Sequence, residues 1–484
     1  MAMTDNARVP VPEVPSLSAL PLAPFEEYMW LDDRPAYPMN FFLRLRFAGG
    51  LAPELFDNAC RQAVARHPLL AARLTRRKRR WYWSTDDLRS PAFSWDSASP
   101  DDALSAATPI DLKEESGLRI VGQQAGEAAA VTFQFHHAAC DGLGAFQYLG
   151  DVLTAYSHAL GETKRTLGDR PLDLPLLQQR GTFGLTRGRL IRMLPRQLLG
   201  VLGARQFFMR QPLMLAGADP NAAADGCSAP GRPPAWPASL TRRLTARETR
   251  DLRAAARNQQ VTVNDVLARD WFLALGEHQR AVGEDKSNAW LRTCIPISLR
   301  GQRDSRMPAA NLVSMVFLDR RPPQLADPAT LLRSIRKEMD TIRRNRLEFT
   351  FVFSLGLGRR VFRRLHWLMP GEKCTASSVL TNLGDLFGRL RLPRDSQQRL
   401  TFARATLEGI DVLAPLRPGT RLALAVFRYA GRQSTTLHYD PRHFSGPQAA
   451  ALLDTYRNQV RASADSAADS PSARAGTNPA GGHP

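Results

Sequence analysis

Between Ala128 and Leu160 the chain switches its hydrophobic period at one point, and that switch limits what the chain can build. Val131, Phe133 and Phe135 alternate with Thr132 and Gln134, the period-two pattern of a half-buried strand. The run ends in His136-His137-Ala138-Ala139-Cys140-Asp141-Gly142. After it Leu143, Phe146, Leu149, Val152, Leu153, Tyr156 and Leu160 recur at helical spacing up to Gly161. The spacing predicts a strand over about 128–137 running directly into an amphipathic helix. A strand end holds a side chain rigidly, and histidine can take or give a proton near neutrality. A histidine pair there is also compatible with a plain hydrogen-bonded pair, so the rest of the chain must decide.

Strand and helix patterns continue on both sides. Phe41 to Phe47 alternates as a strand, and Leu55, Phe56, Ala59, Cys60, Ala63 and Val64 follow at helical spacing, closed by Arg66-His67-Pro68. Trp81-Tyr82-Trp83 reads as a short strand and 86–110 as loop. In the second half, Thr245 with Glu248 and Thr262 with Asp265 mark helix starts. Strands are expected at 290–299, 311–318, 375–381, 401–408, 420–429 and 433–439, with helices over 328–346 and 445–462. Pro296, inside the 290–299 strand, calls for an edge, an end or a bulge. The chain thus divides into a flexible arm (1–16), an N-terminal lobe (17–178), a basic amphipathic interlobe connection (179–238), a C-terminal lobe (239–465) and a disordered tail (466–484). The fold class is mixed α/β in two halves.

Charge narrows the partners. The formal net charge is +19, a field that favours phosphorylated cofactors, acidic carrier proteins or anionic lipid, and no nucleic-acid module signature accompanies it. Residues 181–215 hold six arginines and no acid, and 342–370 hold seven arginines against Glu348. These stretches suit solvated basic helix faces, an anionic membrane surface, or a site for CoA phosphates or an acidic carrier. The five cysteines are scattered with no zinc-ligand spacing, which fits a reducing cytosol. His438 and His443 lack an acid or cysteine cluster and are expected at the surface rather than on a metal. No signal peptide or run of about 18 apolar residues is present, so a cytoplasmic location is expected, with peripheral contact at the inner membrane surface as a further reading.

Several landmarks now lie in one order. His136 to Gly142 fits HHxxxDG, and Pro21-Leu22-Ala23-Pro24-Phe25-Glu26-Glu27-Tyr28-Met29-Trp30 precedes it, with Arg66-His67-Pro68-Leu69-Leu70 between. Ile295-Pro296-Ile297-Ser298-Leu299-Arg300 follows, then Ser378-Val379-Leu380-Thr381-Asn382-Leu383-Gly384, then Leu437-His438-Tyr439-Asp440-Pro441-Arg442-His443-Phe444. Over residues 17–465 this resembles the condensation-domain and chloramphenicol acetyltransferase-like acyltransferase superfamily, nearest to free-standing condensation or alcohol acetyltransferase-type members. The 378–384 strand lacks the Asn-Val-Pro-Gly-Pro-like run of wax ester synthases, and no adenylation or carrier domain flanks the lobes, which suggests a free-standing protein.

The resemblance implies two lobes, each a mixed sheet flanked by helices, with a tunnel between them. It implies acyl transfer from a thioester, acyl-CoA or a phosphopantetheine carrier, to a hydroxyl or amine, with no bound cofactor and no metal. His137 would be the general base. Asp141 would pair with Arg300, with Gly142 and His136 structural at the site, and Thr381 and Asn382 would be oxyanion or channel candidates. Cys140 is read as an unactivated thiol rather than a nucleophile. Three alternatives stand beside this: a carrier-dependent amide-forming condensation enzyme, a wax ester/diacylglycerol acyltransferase-like lipid enzyme, and a catalytically silent condensation-like binding protein.

Overall fold

The computed structural model describes residues 20–86, 88–97, 99–100, 107–217, 237–283, 288–361, 371 and 373–465. The arm at 1–16 and the tail at 466–484 lie outside them, as does Cys227. In chain order the first half holds β1 (Leu20–Pro21), α1 (Pro24–Leu31), β2 (Asn40–Ala48), α2 (Pro53–Val64), α3 (Pro68–Ala71), β3 (Arg73–Arg77), β4 (Arg80–Ser84), β5 (Ala92–Asp96), β6 (Leu118–Ala125), β7 (Ala128–His136), α4 (Gly142–Ala159) and α5 (Arg187–Met209). The second half holds β8 (Ala238–Arg243), α6 (Ala246–Asn258), α7 (Val263–Ala281), β9 (Leu291–Ser298), β10 (Val313–Arg320), α8 (Pro328–Asn345), α9 (Thr350–Val361), β11 (Ser378–Asp385), β12 (Thr401–Phe402), β13 (Ala405–Leu413), β14 (Leu422–Tyr429), β15 (Arg432–Tyr439) and α10 (Gly446–Asp465).

Two six-stranded mixed sheets carry the fold, in the orders β12-β13-β2-β7-β6-β5 and β10-β9-β11-β14-β15-β8. β7 lies between β2 and β6, antiparallel to both, so it is buried along nearly its whole length. Phe133 and Phe135 lie 6.2 Å from the Tyr148 ring of α4, and Phe133 also meets Phe56 of α2 at 6.5 Å. Burying a side chain of that size stabilises by roughly 1.5–3 kcal/mol. At the opposite parity Gln134 is polar but satisfied: its Nε2 donates to Asn40 Oδ1 at 2.8 Å and to the Thr108 carbonyl at 2.7 Å. The predicted amphipathic helix is α4, although Leu143, placed on its apolar face by spacing, is exposed because the first turn lies at the edge of the packed face.

Dividing the chain at 178 and 238 does not separate the two sheets. β13 belongs to the second half but pairs with β2 over Thr406–Leu413, and β12 extends it, so residues 401–413 belong to the first sheet. Asp411 on β13 ties the sheets together, accepting from Arg46 Nε of β2 at 2.7 Å and from Thr241 Oγ1 of β8 at 2.9 Å. The segment at 383–390 reaches β12 by running along α4: Phe387 meets Phe146 at 5.6 Å, and Leu390 lies over Gly150. The expected interlobe connection is also more than a linker. α5 packs on the second half, with Phe207 4.8 Å from Phe317 and Gln197 bonded to Thr350 at 2.8 Å. The stretch expected to be loop at 86–110 contains β5, parallel to β6 at the sheet edge.

Candidate active site

β7 delivers the histidine pair, and three backbone bonds pin the turn after it. His136 N donates to the Gly117 carbonyl at 2.9 Å, His137 N to the Met39 carbonyl at 2.7 Å, and Ala139 N to the His136 carbonyl at 2.9 Å. The side chain of His136 faces inward. Its Nδ1 accepts from Ala138 N at 3.1 Å and its Nε2 lies 3.5 Å from Asp33, so the ring serves the turn. His137 continues the face of Phe133 and Phe135, and its ring meets Phe41 at 5.2 Å with the planes 60° apart. The His137 residue is half-buried, and its Nδ1 is buried with no partner from another described residue. Burial lowers the His137 pKa below its usual value, opposed by a bond to its own backbone and by the charge of Asp141 and reinforced by His136. The imidazole is therefore neutral at pH 7 and able to accept a proton.

Asp141 is the anchor of the turn. It caps α4, with Oδ1 accepting from Gly144 N at 2.8 Å. Its Oδ2 accepts from Arg300 Nη1 at 2.6 Å and from Leu312 N at 2.8 Å. Arg300 Nη2 donates to the Ala310 carbonyl at 2.8 Å, so one guanidinium joins both sides. Gly142 supplies room: a Cβ there would stand 2.9 Å from Leu383 Cδ2 at the end of β11. Cys140 is fully buried, and desolvation pushes its thiol well above the ordinary range, which leaves no thiolate to attack.

The two oxyanion candidates separate. The Asn382 carboxamide is already engaged, donating to Asn264 Oδ1 at 2.6 Å and accepting from Gly384 N at 2.9 Å. Thr381, next to it on β11, is half-buried, and its hydroxyl has no partner among the described residues. A cavity of about 420 Å³ opens beside this strand, lined by Ile295–Gly301, Leu380, Asn382, Asn264 and residues of α7 and α8. Its origin is the sheet itself. β9 and β11 pair only at Thr293 and Cys294, and beyond them no ladder closes the space. Pro296, lacking an N–H, sits beyond the end of that ladder, on the side of β9 left open while its other side still pairs Met315 of β10, which is the ladder end its sequence called for. The lining is drawn wholly from the second half and does not include His137; Arg300 is the residue common to the cavity and the His137 turn.

Three contacts at the site come from residues to which the sequence assigns no role there. Asn311 Nδ2 donates to the His137 carbonyl at 2.6 Å. Buried His67 accepts from Ala309 N at 2.8 Å while its Nε2 lies 3.2 Å from Asp151 of α4. Gly144 is tighter than Gly142, since a Cβ would stand 2.9 Å from the Ala310 carbonyl oxygen and 3.3 Å from Arg300 Nη2. The Ala309-Ala310-Asn311-Leu312 run preceding β10 is thus the second wall of the turn. His438, expected at the surface, is instead buried in β15. Its Nδ1 bonds the Ala414 carbonyl at 2.7 Å, and desolvation takes its pKa down to about 4. Among the described residues no group of three or more His, Cys, Asp or Glu side chains is placed to share a metal ion.

Comparison with known proteins sets this geometry in a wider fold. Residues 120–267, which include the histidine turn and end before β11, match the family described as the wax ester synthase/diacylglycerol acyltransferase catalytic domain. Curated protein sequences give no match. The first condensation domain of the CDA synthetase superimposes with a TM-score of 0.64 at 14% identity, over 93% of this chain and 97% of that one. A mutant of the starter condensation domain of rhizomide synthetase, solved with C8-CoA and Leu-SNAC, gives 0.61 at 16% identity, over 93% and 95%. The epimerization domain from the third module of tyrocidine synthetase B gives 0.60 at 13% identity, over 93% and 98%. One fold thus serves more than one reaction, and the site has to supply the function. With two mixed sheets, a histidine turn at the end of β7 and this set of structural relatives, the chain has the fold of the condensation domains, and its residues 120–267 are similar to the wax ester synthase/diacylglycerol acyltransferase catalytic domain.

Proposed function

We propose that this protein is an acyltransferase that moves an acyl group from a thioester, acyl-CoA or an acylated carrier protein, to a hydroxyl or amine acceptor. The observation that carries the proposal is His137: a half-buried, neutral imidazole on a backbone held by Met39, Asn311 and the Asp141 anchor. In the step it supports, the second ring nitrogen, Nε2, takes the proton from the acceptor O–H or N–H as that atom bonds the thioester carbonyl carbon. The tetrahedral intermediate then expels sulfur, and the proton on His137 passes to the thiolate, releasing free thiol. A positioned base of this kind is worth about 10²–10⁴-fold. Thr381 is the donor we assign to the oxyanion, because Asn382 is committed to Asn264 and Gly384.

A lipid-directed version, with a long-chain alcohol or a diacylglycerol as acceptor, is favoured by the family match over 120–267. Free-thiol release separates the readings when acyl-CoA and acylated carrier protein are each offered with hydroxyl and amine acceptors. Thiol release from acyl-CoA with a hydroxyl acceptor supports the main reading. Release only from the carrier-loaded thioester, with an amine, moves the protein to carrier-dependent amide formation. Tight binding of an acyl thioester without thiol release from any pair makes it a silent binding protein.

A further inference from the structure

We propose that α5 is a docking surface for an anionic lipid membrane. The inward side of the helix is fixed by contacts: Met193 is buried, a Cβ on Gly200 would strike Thr350 Oγ1 at 2.6 Å, and Phe207 packs on Phe317. Those positions recur at helical spacing and define one face. The opposite side and its flanks present large apolar side chains to solvent: Ile191 at 65% exposure, Leu194 at 63%, Phe208 at 77% and Met209 at 70%. Leu190 and Leu199 are exposed as well, so large apolar side chains are uncovered at both ends of the helix and between them, more than the scattered single residues normal for a folded surface.

Charge selects the partner. Arg189, Arg192, Arg196 and Arg205 lie exposed among these apolar residues, none with an acidic partner among the described residues, and 181–215 contains no acid at all. At 23 residues the helix spans roughly 34 Å at 1.5 Å per residue. It carries too many arginines to cross a bilayer, and no described helix is long and apolar enough to do so. Apolar side chains entering the acyl boundary while interleaved guanidinium groups meet phosphate is the arrangement of an interfacial helix. An acidic protein would satisfy the arginines but leave Ile191, Leu194, Phe208 and Met209 without an apolar phase along so long a face. Leu357, two turns beyond Thr350 on the same side of α9, is exposed at 62% and widens the apolar surface.

The surface adjoins the cavity. Gln197 donates to the Arg346 carbonyl at 3.2 Å and accepts from Thr350, while Arg346 and Phe349 line the cavity. Docking through α5 would set that opening at the bilayer, so a long-chain donor or acceptor could pass between membrane and cavity. This last link rests on the acyltransferase reading; the docking itself does not.

The test uses the full chain and sedimentation with vesicles of phosphatidylcholine, alone or mixed with phosphatidylglycerol. The protein should sediment with the mixed vesicles, less so at high salt, and little with phosphatidylcholine alone. Each arginine near such a surface contributes about fivefold. Replacing Arg189, Arg192, Arg196 and Arg205 together by serine should therefore weaken partitioning by several hundredfold. Replacing Ile191, Leu194, Phe208 and Met209 by serine should abolish it. Both variants should keep the thermal midpoint of the parent and its thiol release with water-soluble substrates, so loss of docking and loss of catalysis are distinguishable. Absence of sedimentation with anionic vesicles, equal sedimentation of the variants, or an α5 protected equally from hydrogen exchange with and without vesicles would overturn the proposal. Protection of α5 by an acidic carrier protein in place of vesicles would overturn it too.

Discussion

Asp141→Asn should destabilise the protein almost as much as Asp141→Ala, although it changes a single atom. Three donors converge on this carboxylate: Arg300 Nη1 at 2.6 Å, Leu312 N at 2.8 Å and Gly144 N at 2.8 Å. An asparagine offers one acceptor oxygen and one NH₂, so at least one of the three donors must face another donor. Losing the helix cap alone costs about 1 kcal/mol, and the charge-assisted bonds to Arg300 and Leu312 are worth about 1.5–3 kcal/mol each. Breaking a buried pair from one side costs roughly 3–5 kcal/mol. The Arg300 side chain keeps 16% exposure against 6% for Asp141, so part of its charge can be resolvated and the lower end of that range applies. About 3 kcal/mol is more than a hundredfold in the folding equilibrium. Urea unfolding followed by both tryptophan fluorescence and far-UV circular dichroism measures it, the two probes testing for a single transition. Asp57→Asn is the control, because its pair with Arg61 at 2.8 Å is solvent-exposed and worth under about 1 kcal/mol. If Asp141→Asn loses no more stability than Asp57→Asn, the argument that Asp141 holds the two halves together is wrong.

Gly144→Ala should lower the thermal midpoint and the thiol-release rate more than Gly142→Ala. The new methyl group at 144 meets Ala310 backbone at 2.9 Å, whereas at 142 it meets only the mobile end of Leu383. Overpacking of that kind costs roughly 1–3 kcal/mol, and equal melting of the two variants would contradict it. The acyl-transfer rate should fall on acidification with an apparent pKa below the ordinary histidine value of 6.5, because burial lowers the pKa of His137 and only the neutral ring accepts a proton. A kcat/KM profile with its acid limb above 6.5 would exclude His137 as the titrating base in this environment. His438 contributes an acid sensitivity of its own. With its pKa at about 4 in the folded chain and 6.5 when exposed, the unfolded state binds the proton first as pH falls. Stability is intact above pH 6.5 and declines toward pH 4, by roughly 3 kcal/mol in all. Urea midpoints at pH 7 and pH 4.5 should therefore converge in His438→Leu, once its pH-independent loss of the Ala414 bond is subtracted.

What the sequence discloses here is what short-range order encodes. The His136–Gly142 turn, the capping boxes at Thr245 and Thr262 and, apart from exposed Leu55 and Leu143, the apolar faces of α2 and α4 are all local, and they form where the spacing places them. Arg300 is found through the resemblance carried by the Ile295–Arg300 run, two residues beyond the end of β9, and in the structure it reaches Asp141. Asn311 is missed because its role is to bond a backbone carbonyl 174 residues away, which leaves no periodic mark on the sequence around it. The same holds for His67, tied to Ala309 across 242 residues, and for β13, whose alternation is compatible with either sheet. His438 is misjudged because the lack of a metal-ligand cluster says nothing of burial, which comes from β14 on one side and β8 on the other. Asn382 shows the reverse: a residue type suited to an oxyanion site is spent on a local turn, as asparagine at a strand end often is.

His137 is the residue on which the proposed chemistry depends most directly. Purified His137→Ala and the parent chain, each shown folded by circular dichroism and by an unchanged urea midpoint, would be compared for thiol release from the same acyl thioester and acceptor. Loss of the base should reduce the rate by about 10²–10⁴-fold with little change in KM. A folded His137→Ala protein that turns over at the parent rate would contradict the central claim.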